Sequence, residues 1–425
     1  MTEPVSIPSS ISRTAMKRLL LAALIALALP LAQAEEGHWQ ATWSASPQRT
    51  WGKEVPLPLG VPSVIGNHTL RQSVKVSLGG QRVRIVLSNA YGSQPVAIGG
   101  GAVALAAPAG RLGGPSRRLT FAGQPTAYIA PGAELLSDPL DLAVPPLGEL
   151  AVSLYLPQPT AIESFHWDGK QRIYGGPGEQ LDAVELPTDG KMEARLFLAD
   201  VLVESPDARP VVAVLGDSIT DGRGASLDGN QRWPDVLAQR LAAHNVGVIN
   251  AGISGARLLS DGMGQSALVR FGRDVLGKPG VEAAIVLLGI NDISWPGSTF
   301  APNNPLVQYE DLVGGYRQLI AQAHVRGVRI VGATILPFER ALSGSPIENY
   351  HAANKEALRQ RVNQWIRESG EFDAVVDLDA RLRDPAHPLR LLPAYDSGDH
   401  LHPGDAGNRA MAQSVDIDAL LRGVL

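Results

Sequence analysis

Residues 211–222 read Val-Val-Ala-Val-Leu-Gly-Asp-Ser-Ile-Thr-Asp-Gly. Five apolar residues, Val211 to Leu215, form a short run of the kind that is buried on both faces in a parallel sheet. Gly216, Asp217 and Ser218 end the run before a helical pattern begins. This reading puts a serine at the carboxyl end of a buried strand. In open α/β sheets the ligand crevice lies outside those ends, and N–H groups of the following turn can face a developing negative charge. A serine there also suits a plain helix cap, so the remainder of the chain has to decide.

Downstream, the rhythm is strand, loop, helix. Strands are expected at 211–215, 246–250, 283–288, 328–335 and 374–378. Helical spacing joins Trp233, Val236, Leu237, Arg240 and Leu241, with Pro234 in a first-turn position; it recurs from Tyr309 to Ile320 and from Leu358 to Ile366. Such alternation predicts a parallel sheet with helices on both faces. Upstream, from residue 37 to about 203, the period is two. Val74–Leu78 and Val83–Leu87 around Gly79-Gly80 read as a hairpin, and further strands are expected at 102–105, 119–121, 140–144, 150–156 and 196–203, with 157–192 a long loop. Short strands at this spacing predict an antiparallel β-sandwich or jelly-roll-like domain. Pro206 and Pro210 mark the boundary, giving a β-rich domain over 37–205 and an α/β domain over 210–425.

The first 34 residues stand apart from the fold. Met16-Lys17-Arg18 is a positive start, Leu19 to Leu31 an apolar run, and Ala32-Gln33-Ala34 a small-x-small cleavage site, the pattern of a signal peptide whose true start is Met16 or Met1. The run falls short of the ~20 residues of a spanning helix. Export to the periplasm or beyond is the expectation. The chain has no cysteine, which excludes disulfides, thiolate metal sites and a cysteine nucleophile. A net charge of −5 gives no basic surface for nucleic acid or anionic lipid, and no stable membrane insertion is expected of the mature chain.

Polar or glycine signals close the expected strands: Gly216-Asp217-Ser218, then Asn250-Ala251-Gly252, then Gly289-Ile290-Asn291-Asp292. Near the chain end comes Asp399-His400-Leu401-His402-Pro403. A serine hydroxyl needs an imidazole to take its proton, and the imidazole needs a carboxylate to fix its tautomer. Asp399 and His402, three apart in a turning loop, can supply both to Ser218. A tetrahedral intermediate also needs N–H donors, and the Ser218 N–H, the Gly252 N–H and the Asn291 amide are the candidates. Trp295 and Asp217 are candidates for the substrate pocket. Asp217 and Asp292 also read as hydrogen-bonders of loops.

These four blocks, GDSIT at 216–220, the Gly252 block, GIND at 289–292 and DHLHP at 399–403, resemble those of the GDSL/SGNH hydrolase superfamily over about 211–425. Ile219 stands where the family name has Leu. The resemblance implies a flavodoxin-like three-layer fold and esterase activity without a cofactor. It also implies Ser218 as nucleophile and donor, Gly252 and Asn291 as further donors, and His402 with Asp399 as base and partner. The segment beginning Trp39-Gln40-Ala41-Thr42-Trp43 resembles the β-rich domain of one group of secreted members.

His400 and His402 with Asp396 and Asp399 form a conceivable metal site, but alternate loop residues need not converge and no metal is expected. His400 is an alternative base; His166 and Trp167 are residues that can overhang the site. For the substrate, a small-molecule or carbohydrate ester with a short acyl group, such as acetyl, is expected. A lipase or lysophospholipase acting on longer chains is the second enzyme reading. A carbohydrate-binding protein with an inert hydrolase-like domain is the non-enzyme reading. No Gly-x-Ser-x-Gly elbow is present, which argues against an α/β-hydrolase.

Overall fold

The computed structural model describes Met1, residues 37–187 and residues 192–425. Beyond Met1, the expected signal peptide lies outside the described residues. From His38 to Leu425 the chain packs as one compact unit, with antiparallel pairing up to Ser205 and parallel pairing from Val211 onward.

Among the strands of the antiparallel part are β1 (His38–Ser44), β2 (His68–Lys75), β3 (Gly80–Ser88), β4 (Gly100–Ala107), β5 (Glu149–Leu156), β6 (Ile173–Pro177) and β7 (Leu198–Ser205). One sheet runs β1-β7-β3, with Glu134–Leu136 and Leu140–Val144 on the far side of β3; the other runs β6-β2-β5-β4. The hairpin expected at Gly79-Gly80 does not form, because β2 and β3 belong to different sheets. After Lys75 the chain is captured by β1: the Ser77 N–H donates to the Thr42 carbonyl at 2.9 Å and the Leu78 N–H to Thr42 Oγ1 at 2.7 Å. The two glycines serve close approach. A Cβ on Gly79 would lie 2.5 Å from the Val144 carbonyl oxygen, and one on Gly80 2.5 Å from that of Glu204.

Three other expectations are also corrected. Residues 119–121 are no strand; Phe121 makes a single bridge to Gln124. The strand expected over 196–203 is split at Phe197, whose φ is 60°, so Arg195–Leu196 pairs with Ser164–His166 while β7 joins the first sheet. The supposed loop 157–192 contains Thr160–Ala161, Ser164–His166 and β6. Period-two alternation is also blunted on β2, where Arg71 is fully buried. Its Nε donates to Ser153 Oγ at 2.8 Å, and its guanidinium meets the carbonyls of Gly110, Leu181 and Val184, which cover that face.

The parallel sheet consists of β8 (Val211–Gly216), β9 (Gly247–Gly252), β10 (Val281–Leu287), β11 (Arg329–Ala333) and β12 (Ala374–Val376), in the order β9-β8-β10-β11-β12. Val211 to Leu215 are fully buried, as a central parallel strand demands. The helices include α1 (Ser218–Asp221), α2 (Trp233–Leu241), α3 (Ile290–Ser294), α4 (Tyr309–Val325), α5 (Ala353–Glu368) and α6 (Asp405–Gln413). The order reverses after β8, so right-handed crossovers put α2 on one face and α4 and α5 on the other. Side chains agree: the Trp233 N–H of α2 donates to Asn408 of α6 at 2.9 Å, and Tyr316 of α4 stacks on Trp365 of α5 at 5.6 Å. Reversal at β8 makes its carboxyl end the crevice of the sheet.

Strand β9 is an edge strand of this sheet. Its exposed ladder is covered by the antiparallel part, with the Val248 N–H donating to Ser77 Oγ at 3.0 Å. Among the described residues no helix is long and apolar enough to cross a membrane.

Candidate active site

Strand β8 delivers Ser218 to the crevice as the first residue of α1. Asp217 caps that helix, its Oδ1 accepting the Ile219 N–H at 3.0 Å, and Gly222 closes it at φ 110°. Arg270 locks the strand ends, donating to the carbonyls of Gly216 at 2.9 Å and Ala251 at 2.6 Å while Asp274 balances its charge at 3.2 Å. Ser218 is therefore held by fixed backbone on both sides.

The loop before α6 brings the other two members. Ser218 Oγ lies 2.8 Å from His402 Nε2, and His402 Nδ1 lies 2.6 Å from Asp399 Oδ2. Burial alone would raise the Asp399 pKa, but the bond and charge of His402 and the N–H groups of His402 and Leu401 hold it well below the ordinary carboxylate range. An ionised carboxylate only accepts, so Nδ1 carries the proton and Nε2 presents its lone pair to the serine hydroxyl. His400 turns away to Asp396 at 2.6 Å, so the two histidines serve different carboxylates and do not converge.

Asn291, in α3, has its amide orientation fixed by its neighbours. Trp295 Nε1 donates to Oδ1 at 3.0 Å and the Tyr350 hydroxyl at 2.7 Å, while Nδ2 donates to the Ala256 carbonyl at 2.9 Å. One Nδ2–H remains. The Ser218 N–H, at the first position of α1, has no helical carbonyl to meet.

Gly252 does not supply the third donor. Its N–H is consumed by Asn250 Oδ1 at 2.8 Å, and a Cβ there would lie 2.4 Å from the Asp221 nitrogen, so its role is close packing of β9 on α1. The free N–H belongs to Gly255, three residues on, at φ 76°. No acceptor for it is found among the described residues. Its neighbours pin it. Asp221 Oδ2 holds both the N–H and the hydroxyl of Ser254 at 2.8 Å, and Ala256 accepts from Asn291. Asp292 braces the same loop by accepting from the Leu258 N–H at 2.7 Å and the Leu259 N–H at 3.0 Å.

Both pocket candidates are corrected in part. Asp217 is 1% exposed and spent on its cap; burial pushes its pKa up to about 7, with Asp292 and Asp221 adding to the rise. Asp292 is likewise pushed by burial to about 6. Trp295 borders a cleft of about 360 Å³, but Phe300 stacks on its ring at 4.7 Å and the Arg257 guanidinium lies over it at 4.8 Å. Its chief contact with the site is the bond that orients Asn291. His166 does not overhang the site; it lies buried beneath, with Nε2 2.8 Å from Asp221 Oδ1. Trp167 stands beside Arg223 at 5.5 Å.

Residues 214–410 match the family described as GDSL-like Lipase/Acylhydrolase. Comparison with curated proteins finds no match. Among solved structures, the chain is similar to a GDSL-like lipase from Bacteroides thetaiotaomicron, at 17% identity over 50% of this chain and 86% of that one, with a TM-score of 0.35. An alpha/beta hydrolase from the metagenome of Lake Arreo, Spain, matches at 22% over 49% and 93%, TM-score 0.36. An acetyl xylan esterase matches at 18% over 48% and 96%, TM-score 0.34.

Proposed function

We propose that this chain, whose residues 214–410 match the GDSL-like lipase/acylhydrolase family, is an exported serine esterase that cleaves short-chain acyl esters through an acyl-enzyme. The observation that carries the reading is the hydrogen-bonded chain Ser218–His402–Asp399 beside the unspent N–H groups of Ser218, Gly255 and Asn291.

In this mechanism Ser218 Oγ attacks the ester carbonyl carbon as its proton passes to His402 Nε2. The carbonyl oxygen becomes an oxyanion and takes the three donors. His402 returns its proton to the departing alkoxide, leaving the acyl group on Ser218. Water then attacks the acyl carbon, its proton goes to His402 and on to Ser218 Oγ, and a carboxylic acid departs. Asp399 stays ionised throughout and steadies the imidazolium. Each donor is worth roughly 3 kcal/mol in the transition state.

Support for a short acyl group on a hydrophilic alcohol comes from two clefts that share Arg257 and Asn304, one bordered by Trp295, the residue that orients Asn291, and the other by Asp292. Glu54, Arg257, Asp261 and Asn303 line one, and Glu310, Asp311 and Gln318 stand in its neighbour. A long acyl chain would leave such groups desolvated and unpaired. Carbohydrate esters fit this lining. Export rests on the signal-like pattern of residues 16–34.

Replacing Ser218 with alanine should abolish hydrolysis of p-nitrophenyl acetate with the circular dichroism unchanged. Retained turnover would remove Ser218 from its role. Rates that climb from acetate to longer p-nitrophenyl esters would overturn the short-acyl assignment.

A further inference from the structure

We propose that His166, from the β-rich portion, is a positioning residue for acyl transfer: through Asp221 and Ser254 it fixes the Gly255 N–H that meets the oxyanion. The inference rests on the esterase reading above. It makes the antiparallel portion part of the active-site scaffold.

The chain of contacts is continuous. Asp221 ends the four-residue helix that Ser218 begins, and its carboxylate is 1% exposed. That carboxylate has no direct Arg or Lys partner among the described residues. Its Oδ1 faces His166 Nε2 at 2.8 Å, and its Oδ2 receives both the N–H and the hydroxyl of Ser254. Ser254 immediately precedes Gly255, so any rotation of the Asp221 carboxylate turns the peptide that carries the Gly255 N–H.

His166 is itself locked. It closes the short strand Ser164–His166, paired with Gln48–Arg49 on one side and Arg195–Leu196 on the other. Its Nδ1 lies 2.9 Å from the Ser46 carbonyl, which can only accept, so Nδ1 donates and Nε2 is left for Asp221. With both nitrogens facing acceptors, an ionised Asp221 requires the imidazolium. Burial works against that charge, yet Asp221 and the Ser46 carbonyl outweigh it and raise the His166 pKa. The other charged groups facing the pair are Asp168 and Arg232, with Arg223 3.6 Å from Asp168. Asp168 is 3% exposed, and burial followed by the Asp221 charge raises its pKa.

A buried ion pair contributes little net stability relative to apolar packing, but it holds one geometry rigidly. Rigidity is what this position needs, since a displacement of about 1 Å in a catalytic donor costs about 100-fold in rate.

The test compares His166→Leu, which removes the bond, with His166→Gln, whose amide can still donate to Asp221, in the full chain. Readouts are kcat and KM for p-nitrophenyl acetate and the Ki of a trifluoromethyl ketone, whose hemiketal oxygen imitates the oxyanion. The expected result for His166→Leu is kcat about 100-fold lower, KM little changed and the ketone weakened by the same factor. His166→Gln should recover most of both. If His166→Leu does not fold, Ser254→Ala, which keeps the Ser254 backbone bond, should lower kcat and ketone affinity in parallel. Lower melting temperature with unchanged kcat and Ki in the folded variants would overturn the proposal. Should Ser218→Ala abolish turnover in that case, only the role of His166 fails; should Ser218→Ala stay active, the esterase reading itself fails.

Discussion

Replacing Asn291 with aspartate is the sharpest probe of the oxyanion site, because it changes one group while preserving shape. The residue is 3% exposed, and its Oδ1 accepts from Trp295 Nε1 and the Tyr350 hydroxyl, bonds that a carboxylate oxygen keeps. The second oxygen replaces Nδ2, so it faces the Ala256 carbonyl and the developing oxyanion instead of donating to them. Loss of the donor removes roughly 3 kcal/mol of transition-state stabilisation, a factor of about 100–1,000. A carboxylate about 4 Å from the oxyanion adds repulsion of about 4 kcal/mol at an effective dielectric of ~20. At pH 8 and saturating p-nitrophenyl acetate, kcat should therefore fall by at least about 1,000-fold. Tyr350→Phe is the control. It removes one donor to Oδ1 while Trp295 still orients the amide, costing about 1 kcal/mol and roughly fivefold in kcat. Urea denaturation of each variant establishes that it is folded. The reasoning fails if Asn291→Asp keeps kcat within tenfold of the parent, or if Tyr350→Phe is damaged equally.

Asp217 supplies a stability prediction. Burial pushes its pKa up to about 7, above the 3.8 of an ordinary aspartate, so the folded state binds the proton more tightly. Stability is therefore full below pH 3.8 and declines as pH rises to about 7, by an amount on the order of 4 kcal/mol at about 1.4 kcal/mol per unit. In Asp217→Asn the amide oxygen can still accept the Ile219 N–H. The variant should gain stability over the parent as pH goes from 5 to 8 in urea titrations; a difference independent of pH would contradict the burial argument. At the junction of the two portions, Ser77→Ala leaves the Val248 N–H of the edge strand without its acceptor. Unfolding free energy should drop by about 1–3 kcal/mol with kcat unchanged, and an unaltered urea midpoint would show that the bond does not matter.

The α/β portion was largely legible because each parallel strand is buried on both faces and announces itself as an apolar run. Val211–Leu215, expected as a strand, is one, and β9, β10 and β12 lie within two residues of their expected starts. The antiparallel portion was harder. Gly79-Gly80 reads locally as a turn, but its conformation is set by the distant Val144 and Glu204 carbonyls, which no local pattern reveals. Phe197, at positive φ, likewise breaks a run that period-two reading joins.

At the site, residue type and position after a strand pick out Ser218 and Asn291, while Asp399 and His402 are read from their three-residue spacing in a turning loop near the chain end. The sequence reading names Gly252 as the donor and does not weigh Gly255; Gly252 ends β9, Gly255 lies three residues beyond it, and only the three-dimensional fate of the N–H separates them. Asp221 carried a usable signal, an acidic residue one turn after the serine. His166 is expected only to overhang the site, and nothing local in the sequence ties it to Asp221. Its partner lies 55 residues away, and only the packing of Ser164–His166 beneath α1 brings them together.

The acyl-enzyme is the claim on which the account stands. Rapid mixing of the full chain with p-nitrophenyl acetate, acid quench and mass mapping of peptides should give a burst of nitrophenol and an acetyl group on Ser218. Turnover with no acetyl on Ser218 at any mixing time, and none of the burst that a second, slower step requires, would contradict it.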